Sequence, residues 1–169
     1  MASSDSEVGT FETSDDRSEM VNIVFDGIIG AVSGAVGVAS MTVVLLVAAS
    51  LGGFEMSSLA MVVELTGIGQ LAPTHTVALG YLLFLAGGMV TWPLLFASIG
   101  RYLPGETNAR QGAFFGFILW SGFVLAFYTG YTGAELAVYV VFTLIAHLVY
   151  GFCLGAVIEY LGGREEPIV

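Results

Sequence analysis

The sequence has no lysine, only four arginines and a single cysteine in 169 residues. Without clusters of basic side chains it offers no phosphate-binding surface, which excludes a nucleic-acid partner and a polybasic patch for lipid headgroups. A lone Cys153 excludes an intrachain disulfide and a cysteine-based metal cluster. Phosphate-loop and dinucleotide-binding glycine motifs are missing. So are HExxH, paired aspartates at membrane depth and a Ser–His pair at a credible depth, so the chain reads as a non-enzyme. Charged residues of all kinds amount to 11%, too few to cover a water-facing surface, where about 25% is usual.

What fills the chain instead is apolar: hydrophobic residues make up 56% and the mean hydropathy is +0.88. Apolar runs of about 20 residues are long enough to cross a bilayer core of roughly 30 Å as helices. The pattern predicts an all-α fold, an integral membrane four-helix transmembrane bundle with spans at about 22–51, 76–100, 112–131 and 135–161. Residues 1–20, rich in Ser, Asp and Glu, read as a disordered acidic tail. Residues 21–162 form the membrane domain and 163–169 a second polar tail. Between the first two spans, EMSSLAMVVELT carries Met56, Leu59, Ala60 and Val63 at helical spacing and is too short to cross. It reads as an interfacial helix, with a re-entrant segment as the alternative.

The one strongly polar break in the membrane domain is Arg101–Gln111, whose Pro104-Gly105 pair ends one helix before the next begins. Arg17, Arg101, Arg110 and Arg164 all lie in the two tails and this loop, while the other two loops contain no basic residue. By the positive-inside rule both termini are cytoplasmic and the interfacial helix is extracytoplasmic. Asp26, Glu159, Arg101 and Arg110 share a depth at the inner face, where one or two ion pairs are expected. Trp92 reads as an inner interface anchor, Tyr128 and Tyr131 as an outer aromatic belt.

Three GxxxG pairs stand out: Gly30 and Gly34, Gly112 and Gly116, Gly151 and Gly155. In lipid, small residues drive helix association because they let backbones approach. These pairs therefore read as packing faces, within the bundle or between subunits. Pro93 removes a backbone donor and is expected to kink the second span. Cys153 reads as a small apolar filler.

His147 is the one residue placed to bind a cofactor, since an ionisable group at membrane depth is costly and marks a functional site by default. Haem ligation, proton relay and partner contact compete there with a neutral imidazole bonded across the bundle. His75 lies about 15 Å away in depth, at 1.5 Å per residue, so the two histidines do not grip one metal ion within a chain. Glu55, Glu64, His75 and Glu135 read as solvated outer residues, with a cation or copper site as the lesser reading. No metal and no cofactor is expected.

GAVSGAVGVASMTVVLLVA in the first span, LLFASIGRYLPG and RQGAFFGFILW around the polar loop, and AHLVYGFCLG in the fourth span together resemble an uncharacterised family of small haloarchaeal four-span membrane proteins. High acidity without lysine is similar to the proteome of a salt-loving archaeon. The resemblance implies a companion of respiratory complexes, with haem-copper terminal oxidases the associated class, and carries over no catalytic residue. The expected function is thus an accessory or assembly subunit, with the lipid bilayer and larger membrane subunits, or further copies of itself, as partners. The alternative is a small oligomeric transporter or channel, with a polar path through Thr91, Ser98, Ser121, Thr143 and His147.

Overall fold

The computed structural model describes residues 5–71 and 76–163. Six α-helices carry the chain: α1 (Asp5–Ser50), α2 (Ala60–Thr66), α3 (Thr76–Ala86), α4 (Trp92–Ile99), α5 (Asn108–Ala126) and α6 (Gly133–Gly162). No strand occurs among the described residues. A π-helical turn, Gly87–Thr91, joins α3 to α4. Four helical stretches, of 31, 27, 19 and 30 residues, are long and apolar enough to cross a membrane. At 1.5 Å per residue they measure about 46, 40, 28 and 45 Å.

α6 occupies the centre, packing against α5 on one side and α1 on the other; α1 then packs on the π turn and α4. The spans therefore form an arc in the order α5, α6, α1, α3–α4. The N-terminal end of α1, the loop after α4 and the C-terminal end of α6 lie at one end of the bundle.

Glycine sets the distances within the arc. A Cβ at Gly112 would overlap the Gly151 carbonyl, and one at Gly151 would overlap the Gly112 carbonyl. Gly116 meets the His147 carbonyl in the same way, and Gly155 that of Asn108. The two C-terminal GxxxG pairs thus face each other along one α5–α6 seam, with backbones in direct contact. The first pair receives the second span: a Cβ at Gly34 would lie 2.8 Å from Pro93 Cγ and overlap the Gly88 carbonyl, while one at Gly30 would sit 3.5 Å from Pro93 Cβ. All three pairs are therefore used inside the chain.

Several boundaries differ from the sequence reading. Where residues 1–20 suggest a disordered tail, the backbone is helical from Asp5 and continuous with the first span. Acidic residues favour the positive end of a helix dipole, and extending a helix already nucleated costs little. α5 starts at Asn108 rather than Gly112, because the Thr107 hydroxyl caps it by accepting from the Arg110 N–H at 3.3 Å. It ends at Ala126 rather than Tyr131. The chain then folds back, and Tyr131 is 6% exposed. Its hydroxyl accepts from the Glu55 N–H at 3.0 Å, and its ring stacks on Tyr139 at 4.7 Å. Tyr131 therefore plugs the bundle end and is not part of a lipid-facing belt; Tyr128 stays exposed and donates to the Tyr131 carbonyl. The two inter-span connections are tied together at this end by the Tyr131–Glu55 bond.

The short α2 follows a 3₁₀ turn, Met56–Leu59, and closes at Gly67 with φ +70. That left-handed conformation favours glycine. Gly80 on α3 admits the Leu59 carbonyl so closely that a Cβ would overlap it, which seats this connection against α3. Residues 164–169 of the C-terminal tail lie outside the described ones.

Candidate functional site

The expected inner ion pairs do not form among the described residues. Arg110 pairs with Glu106 at 3.2 Å in an exposed i,i+4 contact within the polar loop, and Arg101 lies over the Tyr102 ring at 4.7 Å. Both arginines find partners close in sequence, so Asp26 and Glu159 stay exposed. At the other end Glu55, Glu64 and Glu135 are exposed, and His75 lies outside the described residues. Among the described residues no three His, Cys, Asp or Glu side chains converge as a metal site would require.

The polar residues of the proposed channel path are not brought together. Ser98 and Ser121 are exposed, each donating to a carbonyl of its own helix at 2.9 Å and 2.6 Å. Thr143 is sealed between α5 and α6, donating to the Tyr139 carbonyl at 2.6 Å and accepting from Trp120 Nε1 at 3.1 Å. Only Thr91 shares a space with His147. Cys153 is half-buried and donates weakly to the Ser40 hydroxyl at 3.7 Å.

That space is a cavity of about 810 Å³ between the second span and α5, within the roughly 300–1,000 Å³ of small-molecule sites. Leu83, Phe84, Gly87 and Thr91 form one wall; Leu119, Gly122 and Ala126 form the other. Val38 and Met41 of α1 and His147 and Tyr150 of α6 make the floor. One turn beyond Trp92 and Leu119, the Phe96 and Phe115 rings meet at 5.4 Å and close the end nearest the polar loop. Val62, Leu65 and Thr66 of α2 border the opposite end. Val90, Trp92 and Ile118 line the cavity and are also exposed on the outer surface, so it opens sideways between α4 and α5.

The cavity exists because of the π turn. An extra residue in a helical turn re-aims the side chains on either side of it. Trp92 N–H bonds back to the Gly87 carbonyl, five residues earlier. The Gly88 carbonyl would look for its donor on Pro93, which has none. Tyr150 Oη supplies the bond instead, at 2.8 Å. Pro93 thus marks a widened turn in this span, and Gly34 gives the room it needs.

His147 is 4% exposed. Its Nδ1 lies 2.8 Å from the Thr143 carbonyl. A carbonyl only accepts, so Nδ1 carries the proton and Nε2 the lone pair. Nε2 has no partner among the described residues. Among them every side-chain nitrogen or oxygen fully sealed from open space does have one, so Nε2 reaches the cavity that His147 lines. Phe123 holds the imidazole with ring centroids 4.6 Å apart, and itself stacks on Phe127 at 4.3 Å.

A family model of unknown function, DUF6789, matches residues 24–169. The chain belongs to the DUF6789 family. No curated protein and no solved structure matches it. In this DUF6789 member the match takes in the cavity, His147 and all four spans but for the first four residues of the first.

A histidine with Nδ1–H on a carbonyl and Nε2 free has the arrangement of a metal or haem ligand. The rest of the cavity does not fit haem, whose two propionates call for cationic partners: no Arg or Lys is among its described lining residues. Sequence reasoning reached His147 but missed Tyr150, Gly122 and the cavity itself. Their one signal was Gly87-Gly88 placed five residues before Trp92-Pro93, a spacing that invites an irregular turn.

Proposed function

We propose that this protein is a non-catalytic, multi-pass subunit of the cell membrane, with both termini cytoplasmic, that accompanies or helps assemble a larger membrane complex such as a respiratory terminal oxidase. One observation carries the reading. From Met20 to Ile28 every residue of α1 is exposed, on all faces of the helix, and Met20, Val21, Ile23, Val24, Phe25 and Ile28 are large and apolar. A Cβ at Gly27 would meet nothing within 4 Å. Six large apolar side chains in these nine residues are left bare, where glycine contacts grip the rest of the first span, and a stretch this apolar is covered by lipid or by another protein. The arginine distribution supports the cytoplasmic placement of this end.

The test is photo-crosslinking in native membranes with benzoylphenylalanine at Phe25, against Leu125, which faces outward at 80% exposure on α5. A discrete adduct with a cytochrome-bearing subunit at Phe25, and none at Leu125, is the expected result. Lipid adducts alone at both positions overturn the reading.

A further inference from the structure

We propose that the lateral cavity is a binding site for a lipid-soluble phenol of the quinol class, whose hydroxyl donates to Nε2 of His147. The site goes beyond the accessory-subunit reading and does not depend on any partner.

Three observations on the cavity select this ligand chemistry. The first is the buried acceptor. Nδ1–H is held by the Thr143 carbonyl at 2.8 Å, so the ring presents only a lone pair, and a lone pair takes a hydrogen-bond donor. A lone pair that opens on an apolar cavity gains from a donor there, and none of the described cavity-lining side chains supplies one to it. The second is the absence of charge: among the described residues no Asp, Glu, Lys or Arg lines the cavity, which favours a neutral ligand. The third is shape and access. Phe84, Trp92, Phe123 and Phe127 border the space, which favours a flat ring. The sideways opening at Val90 and Ile118 admits a molecule, and leaves room for its apolar tail, from the lipid side. A quinone or an ether of the same ring offers only acceptors to Nε2. The site therefore distinguishes a hydroxyl-bearing ring from its capped or oxidised form.

Gly122 provides an independent handle. It lines the cavity, and a Cβ there meets nothing within 4 Å, so a larger side chain grows into empty space and leaves the helix seams alone.

The experiment is isothermal titration of the full chain in detergent with 4-nonylphenol and with 4-nonylanisole, which differ by the donating hydrogen. The phenol is expected to bind roughly tenfold or more tightly than the anisole, the ratio of about one buried hydrogen bond. His147→Phe, which keeps a ring against Phe123, is expected to bring the ratio to about one, and Gly122→Leu to abolish binding of both probes. Equal affinity of the two probes for the unaltered chain overturns the assignment of Nε2. Binding of neither probe, or full binding by Gly122→Leu, overturns the site. Because only purified chain is used, none of these results bears on the crosslinking at Phe25.

Discussion

The Tyr150 hydroxyl donates to the Gly88 carbonyl at 2.8 Å, bridging 62 residues of sequence and two helices. The bond answers a deficit built into the chain, since the residue five beyond Gly88 is Pro93, without an N–H. Tyr150→Phe keeps the ring and leaves that carbonyl unpaired. It is expected to lower stability by about 1–2 kcal/mol, read as a shift in the SDS-unfolding midpoint. Pro93→Ala restores an N–H near the same carbonyl. In the double variant the Tyr150→Phe penalty is therefore expected to shrink, and strict additivity of the two changes would disprove the link.

The α5–α6 seam should be far less forgiving. Gly112 and Gly151 each overlap the other's carbonyl once a Cβ is added, so Gly151→Val must push the helices apart. Loss of the folded form in detergent, judged by gel filtration and tryptophan fluorescence, is the expected outcome. Gly122→Ala, on the open cavity wall, is expected to leave the fold intact and to stabilise it by up to about 1 kcal/mol, alanine's helix-propensity advantage over glycine.

This contrast shows what could be read without coordinates. Four crossings were legible because each is a long apolar run, and a bilayer admits such runs as helices. The glycine pairs were legible as packing faces, but periodicity names a face and not its partner. Nothing in the spacing says that Gly112 meets Gly151 while Gly34 meets the π turn. Tyr131 was misread because an aromatic after a span suits both a lipid belt and an inward plug. Only the Glu55 N–H, 76 residues away, decides between them. The cavity was invisible for a deeper reason: it is made of contacts that α5 and the second span do not make.

Tyr131 also supplies a local prediction. Tyr131→Phe preserves the stack on Tyr139 but removes the acceptor for the Glu55 N–H. Hydrogen exchange at Glu55 is expected to quicken roughly fivefold, the worth of about one modest hydrogen bond. Exchange in α5 should be unchanged. Equal acceleration in both would mean that Tyr131 holds the whole bundle and not this connection.

The Arg110–Glu106 pair should matter little to stability. Its side chains are 67% and 88% exposed, so solvent screens it. Glu106→Gln is expected to cost under about 0.5 kcal/mol, and that small cost is expected to be larger at low salt than at high. A cost several times larger would show that the polar loop clamps the bundle end.

The arc of helices is like a book, with the α1–α6 contact as its spine and the two hairpins as its covers. The α5–α6 join is built from glycines that tolerate no larger residue, so that side of the frame has almost no latitude. The pages between the covers are different: Leu83, Val90, Ile118 and Leu119 line the cavity, so their bulk sets its outline. The outline of that space can therefore be redrawn by a handful of side chains while the glycine seam that fixes the helices stays as it is.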